Sequence, residues 1–464
     1  MNDDNSSERV ITRRRIVQGV GAAGIVGLAG CGGGSNKAQS SSAHSSSSAH
    51  SSTSGSASSS DSAGSSSASG NDYNDKPLEF LDGWTGGDGS KAVAALIKRF
   101  KKQNPNMKTD FRHIGGGGNV SLDSTVARRL SNNNPPSAFD GWPGKNLLKY
   151  EGVLEDITDS VWKEEGFTKK MVQPAVDKCK LNGKYVTVPI GSHRLNNLFY
   201  NEQVVKKAGV DPTSFESADD LLSAMKTVRQ QTDAIPMAQA MKAPWTNLQL
   251  FVEFLLSTGG LKAYTNFIEG NGKKSDLTTA LSKLKTVFEK NINSDASTIG
   301  FTSANQKVIN GKAAFIHQGN WVVGMYKAAD NFSYQKDWNW VAFPGTSDMY
   351  VFHMDSFIVP SDNPTPKKTL VWERFAGSKE AQVAFNKRKG SVTLRKDVEP
   401  SKLGPFLGSQ YHDLVNAPKR PPTLTHGLAV APQKLGKCKS AIGDHFMGPF
   451  KVDATASALL KAVQ

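Results

Sequence analysis

The residues most able to do chemistry in this 464-residue chain are four tryptophans set beside turn-forming residues and carboxylates. Trp84 lies in Gly83-Trp84-Thr85-Gly86-Gly87-Asp88, and Trp142 in Asp140-Gly141-Trp142-Pro143-Gly144. Trp245 follows Pro244, and Trp321 follows Gly319-Asn320. An indole at the mouth of a loop offers a flat apolar face to the C–H face of a pyranose, while its edge stays in water. Neighbouring carboxylates and amides then accept the hydroxyl hydrogens of the ring, often in pairs. For any one indole core packing is the stronger explanation. Four at loop positions shift the balance toward a ligand wall without settling it.

Other chemistries find less support. The glycine run Gly115 to Gly118 lacks the Gly-Lys-Ser/Thr ending that cradles phosphates. No Gly-x-Ser-x-Gly nucleophile elbow or His-Glu-x-x-His zinc helix is present. Asp88 and Asp355 would suit a glycosidase pair, one acid and one nucleophile or base, and that alternative stays open because spacing in the chain does not give their separation. No catalytic residue and no cofactor is otherwise expected. Of the three cysteines, Cys179 and Cys438 have no Cys or His at ligand spacing, so no metal site is expected. In an exported chain these two could join in a disulfide.

The elements that must position these residues alternate in type. Leu78 to Leu81 reads as a strand, and Gly86 to Gly89 turns into a helix whose Ala92, Val93, Leu96, Ile97 and Phe100 recur at helical spacing. Asn104-Pro105-Asn106 ends that helix, Lys108 to Ile114 is extended, and a second helix runs through Val126 and Leu130. Phe215 to Asp220 reads as a capped helix start before Leu221, Leu222 and Met225. Strands alternating with amphipathic helices predict an α/β fold, with ligands beyond the strand ends. The body of the chain is too long for one comfortable core and predicts two domains.

The N-terminus predicts where the protein works. Thr12-Arg13-Arg14-Arg15 opens a short, Gly-rich apolar run that ends in Leu28-Ala29-Gly30-Cys31. Paired arginines before a modest apolar stretch fit a twin-arginine export signal, and the ending fits a lipobox cut before Cys31, which would take lipid. From Gly32 to about Asn74 the chain is mostly Ser, Ala and Gly, a composition expected to form a disordered tether. The formal net charge is +14, yet Lys and Arg are scattered, so a solvated surface is expected rather than a nucleic-acid partner. The expected place is the outer face of the cytoplasmic membrane, lipid-anchored.

The order of these segments resembles the extracellular solute-binding proteins (family 1) of ABC sugar importers, the group that includes the maltose-binding type. The general marks are Gly311-Lys312-Ala313-Ala314-Phe315 through Gly319-Asn320-Trp321, and Thr213-Ser214-Phe215-Glu216 before a helix. The branch that binds glucose and related monosaccharides is matched more closely. That match rests on Leu78-Glu79-Phe80 with Trp84 and Asp88, on Val188 to Arg194, and on Phe343-Pro344-Gly345-Thr346. It continues through Asp355-Ser356-Phe357, Lys389-Gly390-Ser391 and His426-Gly427.

The resemblance implies a two-lobe periplasmic-binding-protein fold of type II, α/β and maltose-binding-protein-like, with a three-strand hinge. Residues 1–30 would be the signal and 31–75 the lipid-anchor cysteine and linker. One lobe would comprise 76–190 with 356–392, the other 193–353 with 394–464. The crossings are expected near Ile190–Arg194, Met354–Phe357 and Ser391–Arg395. A monosaccharide such as glucose would bind between the lobes and pass to the permease subunits of an ABC transporter, the receptor acting as a monomer. An oligosaccharide or polyol is the alternative ligand. The implied contacts are Trp84, Asp88, Trp245, Trp321, Asp355, Lys389 and His426, with His193 either a contact or a structural part of the hinge. Asp140 and Trp142 stand where related positions carry an amide and an imidazole, so a carboxylate that only accepts replaces an amide that also donates.

Overall fold

The computed structural model describes residues 75–87, 89–115 and 119–464. The signal-like segment 1–30, Cys31, the Ser-rich stretch through residue 74 and the expected contact Asp88 lie outside the described residues. Among the described residues the strands are, in chain order, β1 (Leu78–Asp82), β2 (Thr109–His113), β3 (Ala138–Gly141), β4 (Lys180–Leu181), β5 (Lys184–Tyr185) and β6 (Thr187–Arg194). They continue with β7 (Asn197–Asn201), β8 (Ile235–Met237), β9 (Ala313–Gln318), β10 (Trp338–Ala342) and β11 (Phe352–Ile358).

Two sheets carry the fold. The first has the order β2-β1-β3-β11-β6, with β2, β1 and β3 parallel and β11 antiparallel to both neighbours. The second has the order β10-β7-β9-β8. All five residues of β1 are buried, as expected of a strand covered on both faces. The helix Ser90–Gln103 turns Ala92, Val93, Leu96 and Phe100 inward. Around Phe80 the first core is aromatic, with Phe357 at 4.5 Å and Trp372 at 5.0 Å between ring centroids.

Local signals start the elements where the sequence places them. The helix Ala218–Gln231 opens with a capping box, in which Asp220 Oδ2 accepts from the Ser217 backbone and Ser217 Oγ accepts from the Asp220 backbone. Such caps contribute about 0.5–2 kcal/mol each by satisfying amides that have no partner within the helix. The helix Pro244–Ile268 follows a different rule. It is buried on every side from Thr246 to Leu256 and breaks its helical dihedrals at Gly260.

Three chain segments pass between the sheets side by side. β6 and β11 pair antiparallel along their whole length, from Phe352 opposite Arg194 to Ile358 opposite Thr187. Their register shifts between Asp355 and Ser356, a bulge that re-aims the side chains at that level. The third segment, around Ser391–Arg395, meets them where Ser192 and Val392 exchange two backbone hydrogen bonds of 2.7 and 2.8 Å.

The possible disulfide does not form. Cys179 and Cys438 are free thiols, each buried, the first just after the helix Gln173–Lys178 and the second inside Pro432–His445. Burial pushes Cys438 up to about 12 and Cys179 well above the usual thiol range, so both are inert as nucleophiles. Among the described residues no helix is long and apolar enough to cross a membrane.

Candidate functional site

A cavity of about 260 Å³ opens between the two sheets. Its walls come from loops of the first sheet (Trp84, Asn119, Trp142), from the second sheet's side (Trp245, Phe301, Trp321), and from the crossing strands themselves (His193, His353, Asp355). Lys389 and His426 complete it. Eight of the ten expected contacts therefore meet in one place.

Each indole is held by its own local device. The Trp84 backbone amide donates to Asp82 Oδ1 at 3.0 Å, and Asp82 Oδ2 lies 2.7 Å from His113 Nδ1, so the end of β1 clamps the loop. The Trp84 ring packs 4.9 Å from Phe385. A Cβ on Gly89 would lie 2.7 Å from three Trp84 atoms, so only glycine lets the loop close on the ring. Likewise a Cβ on Gly319 would lie 2.1 Å from Trp321 Cζ3. The sequence places glycines beside these indoles because the rings lie against bare backbone.

Trp142 follows β3 and meets His426 and His353 edge-on at 4.9 and 5.7 Å, its carbonyl accepting from Asn146 Nδ2 at 2.9 Å. Trp245 stands half-buried in the first turn of its helix, 6.4 Å from Trp321. Trp321 is in turn 5.3 Å from His193 and 5.6 Å from His426.

Asp355 anchors the polar side of the cavity. Its Oδ2 lies 3.1 Å from His193 Nε2, and its Oδ1 lies 3.4 Å from His353 Nε2. His193 and His353 face one another across the β6–β11 pair with stacked rings 5.7 Å apart. His193 Nδ1 is fixed by Asn320 Oδ1 at 2.7 Å. Burial works to raise the Asp355 carboxyl, but hydrogen bonds from His193 and His353 outweigh it and hold the group well below the usual range, ionised. Burial lowers His353 to about 4, against the pull of Asp355, and burial followed by the His353 and Lys439 charges holds His426 well below its usual range. The cavity thus pairs one fixed carboxylate with two neutral imidazoles, His353 and His426, whose ring centroids lie 4.4 Å apart.

Asp140 is a correction to the expected set: it does not line the cavity. It is 1% exposed, sits behind the wall, and accepts at Oδ2 from Asn119 Nδ2 at 2.9 Å. Burial, reinforced by the nearby Asp355 charge, holds this carboxyl well above its usual range, so it is a neutral acid. Asp88 lies outside the described residues. Sequence reasoning missed His353, Asn119, Phe301 and Thr302, which also line the cavity. His353 was within reach, since it lies two positions before Asp355 and a strand returns to the same face every second residue. Asn119 stands at the start of the helix Val120–Ser131 in a left-handed conformation (φ 61°) without capping it, its side chain turned to Asp140 instead.

The family model described as bacterial extracellular solute-binding protein matches residues 95–406. The chain belongs to that family. This solute-binding protein is 54% identical over 389 residues to the xylose/arabinose-binding protein XacG of Haloferax volcanii, covering 84% of this chain and 85% of that one. Among solved structures it is similar to the bacterial solute receptor AcbH, described as preferring β-D-galactopyranose, with a TM-score of 0.71 at 18% identity over 83% of this chain and 97% of that one. Maltose-bound MalE3 of T. maritima gives a TM-score of 0.70 at 16% identity, over 83% and 98%. These likenesses establish the two-lobe α/β receptor fold for this solute-binding protein.

Proposed function

We propose that this chain is the receptor of an ABC importer, capturing a monosaccharide in pyranose form and handing it to the permease. The observation that carries this reading is the meeting of four indoles, from four separate segments, around the ionised Asp355 between two sheets. Indoles wall the apolar faces of a sugar ring; Asp355 accepts from hydroxyls; Lys389 donates; His353 and His426 donate or accept by tautomer. A cavity of about 260 Å³ falls just under the range of about 300–1,000 Å³ that holds drug-sized ligands, which favours one ring over a chain of them. The 54% identity to a protein named for xylose and arabinose favours a pentose over glucose. Membership of a solute-binding family supports a ligand-holding role for the carboxylates over hydrolysis.

Three side-by-side crossings act as the hinge, with 76–190 and 356–392 forming one lobe and 193–353 and 394–464 the other. Sugar bridging both walls selects the closed arrangement, and the permease reads that closure. Micromolar capture needs about −8 kcal/mol, which stacking and charge-assisted hydrogen bonds in a dry cleft can supply. Lipid on Cys31 would hold the receptor to the outer face of the cytoplasmic membrane as a monomer.

A thermal-shift screen of D-xylose, L-arabinose, D-glucose, maltose and a polyol tests the reading, since a ligand that binds the folded state raises the melting temperature by mass action. A shift with a pentose and little with maltose is expected. No shift with any of the five overturns the proposal. For the anchor, Cys31→Ser should release the protein from the membrane fraction; retention would refute lipidation.

A further inference from the structure

Each of the five neighbouring strands of the first sheet carries a titratable group, and of these Asp355 and His193 line the cavity. In sheet order they are His113 (β2), Asp82 (β1), Asp140 (β3), Asp355 (β11) and His193 (β6). The two ends are histidine–carboxylate pairs, at 2.7 Å for His113 with Asp82 and 3.1 Å for Asp355 with His193. Asp140, in the middle, has no histidine. Among the described residues its one hydrogen-bond donor is the Asn119 amide, and its Oδ1 has no partner.

Resting on the sugar-receptor reading, we propose that Asn119 is a specificity-determining sugar contact, and that Asp140 is a positioning residue which sets the Asn119 amide while touching no ligand. Asn119 lines the cavity and is only 7% exposed. An amide is ambiguous to a hydroxyl until something decides which end faces it. Asp140 decides it: a carboxyl oxygen at 2.9 Å takes an N–H of Nδ2, and the Asn119 Oδ1 is turned toward Gly83, another residue of the cavity wall. Gly83 makes room for the arrangement, because a Cβ there would lie 2.2 Å from that oxygen. The helix begun at Asn119 also forgoes a side-chain cap, which a purely structural asparagine at this position would supply.

Asp140 works in its protonated form. Asp82 and Asp355 flank it with like charge, Tyr150 lies close enough to feel its charge, and Lys389 is the cation that opposes them. A neutral carboxyl still accepts at Oδ2 and puts no third negative charge behind a cavity that already holds Asp355. Ionising it at alkaline pH adds that charge behind the wall, so sugar affinity should fall there. The alkaline limb belongs to Asp140, and its partners His113, His193 and His353 sit on the flanking carboxylates rather than on Asp140 itself.

The test is calorimetry with D-xylose on the purified protein from about pH 5 to about pH 9, with thermal melts confirming each fold. Asn119→Ala and Asp140→Leu should each lose about 10- to 100-fold in affinity, as deletion of a buried hydrogen bond does. Asp140→Asn should lose less than Asp140→Leu and show no alkaline limb, because its amide offers an acceptor and cannot ionise. Asn119→Asp alone should bind poorly, and the exchange Asn119→Asp with Asp140→Asn should recover part of the loss. If Asn119→Ala and Asp140→Leu bind as the parent does while Trp84→Ala does not, the inference is overturned and the receptor reading survives. If the parent itself binds no sugar, the receptor reading fails and this inference falls with it.

Discussion

The cavity and the core beneath the helix Pro366–Ala376 each bury a carboxyl group, and they treat it in opposite ways. Asp355 sits on a crossing strand with His193 and His353 against its two oxygens, and these bonds hold it ionised despite burial. Glu373 is fully buried beside Cys179, both oxygens lack hydrogen-bond partners among the described residues, and burial alone pushes it well above its usual range. Removing a charge from water costs far more than a few contacts return unless hydrogen bonds replace the solvent. The molecule supplies those bonds at Asp355, where a ligand would use the charge. In the core it keeps the proton instead.

The comparison breaks first at Asp355. Asp355→Ala removes the acceptor and strands two imidazoles, so sugar affinity by calorimetry should fall by about 2–4 kcal/mol with the fold retained. Unchanged affinity would remove this residue from the site. Trp84→Ala or Trp321→Ala should cost somewhat less, about 1–3 kcal/mol, through lost ring stacking. An effect at only one of them would show which indole carries the stacking energy.

pH sharpens the contrast because the two acids carry opposite signs. The folded-state value of Glu373 lies above its ordinary 4.5, so the folded protein holds a proton that the unfolded chain releases. Its contribution is present below that value and is lost as pH rises, by up to about 1.4 kcal/mol per pH unit. Asp355 lies below its ordinary 3.8, so its contribution is present above that value and is lost as pH falls. Denaturant unfolding across pH should therefore show a downward slope toward alkaline pH that Glu373→Gln reduces, with buried Asp140 carrying the rest. A slope unchanged in that variant would take the buried proton off Glu373. On the acid side, His353 charges only near pH 4, so affinity should hold from neutral pH down to about that point and drop below it. The smallest effect concerns the thiols: with Cys179 and Cys438 free and buried, reductant should leave the melting temperature unchanged. A shift would reveal a disulfide.

Much of the fold was legible locally. The strand at Leu78, the helix face of Ala92, Val93, Leu96 and Phe100, and the capping box at Ser217 and Asp220 all stand where spacing put them. The helix Pro244–Ile268 was not legible, since burial on every side erases the polar face that periodicity reads. The indoles were legible because their glycines are sequence neighbours, Gly89 with Trp84 and Gly319 with Trp321. Asn119 was not, because its partner Asp140 is 21 residues away in the chain.

By itself, then, the sequence determined what depends on near neighbours: where strands and helices begin, which loops carry flat rings, and which family the segments belong to. Only the tertiary structure decided which carboxylic acid is ionised. His193 and Asp355 are separated by 162 residues, and the charge on Asp355 exists because folding withdraws it from water and puts imidazoles in water's place. Desolvation and long-range partners have no local signature, so Asp140, drawn from the same residue type, could be read as a sugar contact until packing placed it behind the wall.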